Sequence, residues 1–269
     1  MAAIDAVVFD VDGVLIDTEA SYTEAVVRTV RHLAPDAPVD RELVRLWRRS
    51  GDWNNDWDLS FGLYCWVRGS PELPAAEAAR RSLAELESAA RGRLDLDYAA
   101  VQGIFEELYN GTAVAVRRYG VTPRVFNERP LADDERIVIR PRLLDELHAL
   151  GIDKVGIVTG RVRADWAQVA ARLPFAPDVV VATDEDGRKP DPAALRIVAG
   201  ALGAERFAMV GDTLNDLRMV QAYNAAGHGR GYAVLLCRPD EERAYRDAGA
   251  DATILALDDL PGAIRRLAS

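Results

Sequence analysis

Lysine is nearly missing from this chain. Of its 33 basic residues only Lys154 and Lys189 are lysines, and the other 31 are arginines. Where a generic positive charge serves, arginine stands, so a surviving lysine marks a place that takes a compact ammonium and not a planar guanidinium. Lys154 merely opens an apolar run, which leaves Lys189 to carry that argument. Cysteine is as scarce: Cys65 and Cys237 lie far apart and form no metal or redox spacing, which fits a reducing cytoplasm. Net positive charge is absent. At −10 the chain lacks the basic footprint that a nucleic-acid-binding surface needs. No apolar run approaches the roughly 18 residues of a membrane helix. The first residues lead straight into Ala6–Asp10 with no basic stretch and no small-residue cleavage site, so no secretory signal is expected. These absences describe a cytoplasmic protein with neither nucleic acid nor membrane among its partners. Oligomeric state is not written in the sequence.

What is present is enough apolar material for a core. A 49% hydrophobic content stands far above the disordered range. At about 150 residues per domain, 269 residues make one large domain or a domain carrying an insertion. Five short, nearly continuous apolar runs predict strands buried on both faces: residues 4–9, Lys154–Val158, Asp178–Val181, Arg206–Val210 and Tyr232–Leu236. Helical patterns separate the later runs, near 142–150, 162–172, 192–201, 214–225, 240–248 and 259–268. The alternation predicts an α/β fold, a Rossmann-like parallel sheet with helices on both faces.

Residues 17–138 break that rhythm with helical patterns only, near 19–33, 40–49, 55–68, 74–91 and 97–118. Pro74–Gly92 carries i,i+4 opposite charges such as Glu77 and Arg81, the mark of a solvated helix face. Thr122–Pro141, rich in Pro and charge, reads as a linker. The expected organisation is an α/β core of 1–16 and 139–269, interrupted by an all-α domain of 17–138.

Four segments carry chemistry, each where a strand ends or a helix begins, the edge at which open α/β sheets bind ligands. In Phe9-Asp10-Val11-Asp12-Gly13-Val14, Asp10 closes the first strand and Gly13 permits an abrupt turn. Two carboxylates that close repel unless one is protonated or a cation lies between them, and oxygen ligands of this kind suit Mg²⁺. A calcium loop is excluded because no Glu-terminated twelve-residue loop follows. Val158-Thr159-Gly160-Arg161 offers a hydroxyl and then a helix start that favours an anion. Arg188-Lys189-Pro190 sets a cation ahead of a Pro-started helix, and Gly211-Asp212-Thr213-Leu214-Asn215-Asp216 adds two carboxylates one helical turn apart. Singly, each has a plain structural reading: an N-cap for Asp212 or Asp216, a turn for Thr159-Gly160, a surface charge for Lys189. Jointly they place acids, a hydroxyl and a cation on one edge of one sheet, as in magnesium-assisted phosphoryl transfer.

The order Asp-x-Asp-Gly-Val, Thr-Gly, Lys-Pro, Gly-Asp-x-x-x-Asp resembles the haloacid dehalogenase superfamily, over residues 4–16 and about 140–269. The insertion matches the position and helical character of that family's cap. Within it, Gly51-Asp52-Trp53-Asn54-Asn55-Asp56-Trp57-Asp58 is similar to a segment of a little-characterised capped branch. The resemblance implies a phosphatase acting on a small phosphorylated metabolite, with Asp10 as nucleophile and Asp12 as general acid and then base. It further implies Thr159, Gly160 and Lys189 at the phosphoryl group. Mg²⁺ would be held by Asp10, the Asp12 carbonyl and Asp212, with Asp216 beside them. Arg161 reads as a partly exposed helix-start residue rather than a phosphate contact. Asp12 speaks against carbon–halogen cleavage, which needs no such acid. A sugar-phosphate mutase is the alternative within the family, and a receiver-like phospho-acceptor domain is disfavoured by the Asp-x-Asp pair and the insertion.

Substrate identity lies beyond the core motifs. Four of the five tryptophans, Trp47, Trp53, Trp57 and Trp66, fall within twenty positions of the insertion. Trp47 and Trp66 read as its apolar core. Trp53 and Trp57, four apart, would share a helix face, with Asn54 and Asn55 between them as contacts to the leaving group.

Overall fold

The four residues Ala6–Phe9 carry no polar side chain and are fully buried, which requires cover on both faces and neighbours on both edges. The computed structural model, which describes residues 4–50, 53–176 and 179–268, supplies all four. Contacts divide the chain into two compact units, Met1–Asp17 with Ile137–Ser269, and Thr18–Arg136.

In the first unit, β1 (Ala6–Phe9) is followed by the two-residue β2 (Ile16–Asp17); β3 (Arg136–Ile137), at the boundary where the chain returns from the insertion, is its partner in a small second sheet. The main sheet adds β4 (Lys154–Val158), β5 (Val180–Ala182), β6 (Arg206–Gly211), β7 (Arg230–Leu236) and β8 (Ala252–Ile254). Its order is β5-β4-β1-β6-β7-β8 and every pairing is parallel. Alternate side chains of β1 enter different cores. Val7 and Phe9 pack with Leu143, Leu147 and Ile264, while Ala6 and Val8 pack with Leu195, Val198 and Leu217. This is the predicted α/β sandwich. Its eighth strand was not foreseen, because three residues are too few to show a period. The fifth starts at Val180; Asp178, where that strand was expected to begin, lies outside the described residues, as does Met1.

The second unit is helical: α1 (Glu24–Leu33), α2 (Arg41–Arg49), α3 (Asp56–Gly69), α4 (Ala75–Ala78), α5 (Leu83–Ala89), α6 (Tyr98–Asn110) and α7 (Thr112–Tyr119). Two long expected helices are each broken in two. Between α4 and α5, Ser82 starts a new helix with a capping box: its backbone N–H donates to the Glu85 carboxylate at 2.8 Å, and its hydroxyl accepts from the Glu85 N–H. Between α6 and α7, Gly111 takes φ +80°, which a helix cannot accommodate. Glu77 and Arg81 do pair, at 3.5 Å and half exposed, as a solvated face. The stretch expected as a linker is held down instead. The buried Glu107 carboxylate accepts the backbone N–H groups of Arg124, Val125 and Phe126 at 2.6–3.3 Å. Trp47 and Trp66 lie in the apolar core, as expected. After the insertion come α8 (Pro141–His148), α9 (Arg163–Ala170), α10 (Ala193–Leu202), α11 (Leu214–Ala225), α12 (Glu242–Asp247) and α13 (Leu260–Ala268). Among the described residues no helix is long and apolar enough to cross a membrane.

Candidate active site

Register brings the motifs together. Phe9 stands level with Ile157 on β4 and Val210 on β6, so Asp10, Thr159 and Asp212 emerge at the carboxyl ends of three adjacent strands. Asp10 is fixed by its own backbone, its N–H donating to the Val210 carbonyl at 2.8 Å. The turn that follows needs Gly13 at φ +79°, because a Cβ there would stand 2.0 Å from Asp212 Oδ2. Lys189, ahead of α10, puts its ammonium 2.7 Å from Asp10 Oδ1 and 2.7 Å from Asp216 Oδ1. Both carboxylates are buried.

Charge in so dry a place moves proton affinities. Burial pushes the Asp10 carboxyl from its ordinary 3.8 up to about 7, against the pull of Lys189; the charges of Asp216 and Asp12 add to the rise. For Lys189 burial works to lower the value, but Asp10 and Asp216 outweigh it and hold the ammonium above the ordinary lysine range. Asp10, Asp212 and Asp216 each present a carboxylate oxygen within 4.8 Å of the others'. Asp216 also accepts the Thr213 N–H at 3.0 Å and hydroxyl at 2.7 Å, so Thr213 is the N-cap of α11 and Asp216, at the third helical position, completes its capping box.

The Asp12 carboxylate turns to another partner. Arg161, expected at a partly exposed helix start, is buried, with its side chain only 3% accessible. Its Nη2 lies 2.6 Å from Asp12 Oδ1, and its Nε is 3.1 Å from both carboxylate oxygens. The expectation failed because that partner is 149 positions away, and nothing near Arg161 in the chain announces it. Thr159 is buried, and its hydroxyl accepts the Arg161 N–H at 3.1 Å; Gly160 is exposed. Lys154, as expected, lies apart from these groups in its contacts: its ammonium caps the end of α10 at the Gly203 carbonyl, 2.8 Å. Sequence reasoning missed Tyr245, whose buried hydroxyl donates to the Asp212 carbonyl at 2.7 Å and steadies that loop. A tyrosine in a charged helix gives no local sign of such a contact.

In the helical unit the expected aromatic face does not form. Trp53 precedes α3 and is buried against Trp47 at 4.8 Å, its indole N–H donating to the Ala79 carbonyl, whereas Trp57 lies in the helix and donates to Glu106. Asn55 is the N-cap of α3, its Oδ1 accepting the Trp57 and Asp58 N–H groups at 3.0 Å each. Asn54 Oδ1 is enclosed without a hydrogen-bond partner among the described residues. Gly51 and Asp52 of the same segment lie outside the described residues.

A family model for haloacid dehalogenase-like hydrolases matches residues 4–224, and the chain belongs to that family. The receiver-like alternative is thereby set aside. Among solved structures, the phosphatase Tt82 of Thermococcus thioreducens is 25% identical, with a TM-score of 0.66 over 95% of this chain and 98% of that one. A hydrolase from Pseudomonas syringae, 19% identical, shares the fold at a TM-score of 0.54 over 99% and 100% of the two chains. An imidazoleglycerol-phosphate dehydratase of Phytophthora nicotianae is 27% identical over 231 residues, 84% of this chain but only 43% of that protein. The chain thus spans less than half the length of that curated relative.

Proposed function

We propose that the chain is a Mg²⁺-dependent phosphatase that hydrolyses a small phosphorylated metabolite through an aspartyl phosphate. The observation that carries this reading is the buried Asp10 carboxylate, 2.7 Å from the Lys189 ammonium and grouped with two further carboxylates at the sheet edge. Similarity to the Thermococcus thioreducens phosphatase supports it.

The donor set suits a hard divalent cation, being oxygen only and three carboxylates strong, with Gly13 making room for the Asp212 carboxylate among them. Asp10, Asp212 and the Asp12 carbonyl would hold Mg²⁺, with Asp216 supporting. Bound there, Mg²⁺ offsets the repulsion between an anionic nucleophile and an anionic phosphate. Asp10 attacks phosphorus and forms the new P–O bond as the bond to the leaving alcohol breaks, the alcohol oxygen taking its proton from Asp12. Asp12, now a carboxylate, takes a proton from the water that attacks the phosphoryl group; inorganic phosphate leaves and Asp10 is restored. Thr159 and Lys189 bind phosphoryl oxygens and meet charge as it develops.

The test is steady turnover of p-nitrophenyl phosphate with Mg²⁺ and its loss with chelator, followed by a panel of phosphorylated metabolites. Phosphate appearing in solution is the expected result. Transfer to a second hydroxyl of a sugar phosphate, with no free phosphate, would make the protein a mutase instead.

A further inference from the structure

A buried guanidinium needs its charge met, and the Asp12 carboxylate lies directly against that of Arg161. The fork approaches from the side, Nη2 on Oδ1 and Nε across both oxygens, at 2.6–3.1 Å. The two partners are unequal in freedom. Arg161 is 3% accessible, whereas the Asp12 side chain is 28% accessible and stands at the lip of a glycine turn. A short side chain so placed has its rotamer open to solvent unless something fixed grips it. Arg161 is that fixed point, itself set where β4 gives way to α9, its backbone N–H tied to the Thr159 hydroxyl.

We infer that Arg161 is a positioning residue for Asp12: it holds the acid–base carboxylate in its working direction and does not itself bind the phosphoryl group. This rests on the phosphatase reading, in which Asp12 exchanges protons with the leaving group and with water. Two of the guanidinium nitrogens, Nε and Nη2, lie on Asp12, a contact that takes an arginine's fork: a lysine would supply the charge but not the fork.

A cycle of four proteins tests it: wild type, Arg161→Met, Asp12→Asn and the double variant, assayed with Mg²⁺ on p-nitrophenyl phosphate. Misdirecting a catalytic group by about an ångström costs roughly 10²-fold. Arg161→Met should therefore lower kcat by about 10–10²-fold, while KM and the inhibition constant of inorganic phosphate stay within about twofold. On the Asp12→Asn background the same substitution should change kcat by less than about twofold, because nothing is left to position. If Arg161→Met does not fold at the assay temperature, Arg161→Lys keeps a cation without the fork and should show the same split between kcat and KM with a smaller loss. Independent, multiplying losses in the double variant overturn the inference. So does weaker phosphate inhibition, which would make Arg161 a phosphate ligand, and so does a fully active Arg161→Met beside an impaired Asp12→Asn; in each case the phosphatase reading stands. A wild type that hydrolyses no phosphomonoester overturns both.

Discussion

At the scale of single residues the two lysines make opposite predictions. The Lys189 ammonium bridges Asp10 and Asp216 in a space closed on most sides. Lys189→Arg keeps the charge but brings a planar fork where two carboxylates converge on one point, and activity should fall by about 10²-fold or more, as when a preorganised donor is lost. Lys154→Arg, at a half-buried side chain whose ammonium meets the Gly203 carbonyl at the end of α10, should be silent in rate and within about 0.5 kcal/mol in stability. The reverse result in a parallel assay would exchange their roles. Asp10→Asn preserves shape and should fold as wild type while losing essentially all turnover; more than a trace of residual activity argues against the covalent route. Asp12→Asn should be slowed by roughly 10²–10⁴. Asp10, Asp12, Lys189, Asp212 and Asp216 were legible because each sits in a short motif tied to a strand end or helix start. Arg161 and Tyr245 were not, since their meaning lies in partners distant in sequence.

At the scale of elements, what was hard to read was where helices stop. The Ser82–Glu85 box and Gly111 are both local signals, yet the apolar periodicity on either side continues through them and outweighs them in a pattern count. The Asn54–Asn55 pair shows the same difficulty. Its polar groups look available for a ligand, but Asn55 is occupied in starting α3. Asn55→Ala should therefore cost about 1 kcal/mol of stability, the usual worth of an N-cap, read as a lower urea midpoint at unchanged slope. Asn54→Ala separates recognition from stability. A raised KM on a hydroxyl-bearing substrate, with p-nitrophenyl phosphate and melting temperature unchanged, would keep Asn54 in the substrate site; an equal loss on both substrates would remove it.

At the scale of the whole molecule, the proposed Mg²⁺ site would couple metal, proton and fold. Without metal, the Asp10 carboxyl holds its proton more tightly in the folded chain than in the unfolded one. Its contribution to stability is thus complete below about 4 and lost as the pH rises through about 7. A cation bound there must displace that proton, so Mg²⁺ affinity should rise with pH toward 7 and binding should release protons. Calorimetry at about pH 6 in two buffers of different ionisation enthalpy reads this directly. Identical heats in both would mean that Asp10 is ionised before the metal arrives. The central place of β1 has a consequence for biosynthesis as well. Its pairing residues, Lys154 for Ala6 on one side and Phe207 on the other, lie far downstream. At about 5–20 residues per second, translation leaves the Ala-Val-Val-Phe strand without either neighbour for on the order of ten seconds. Throughout that time all of Thr18–Arg136 emerges, with an apolar core of its own to bury. The carboxylate on which the proposed chemistry turns is thus made early and set in place late, and a nascent chain carries this apolar strand uncovered until the ribosome has passed the insertion.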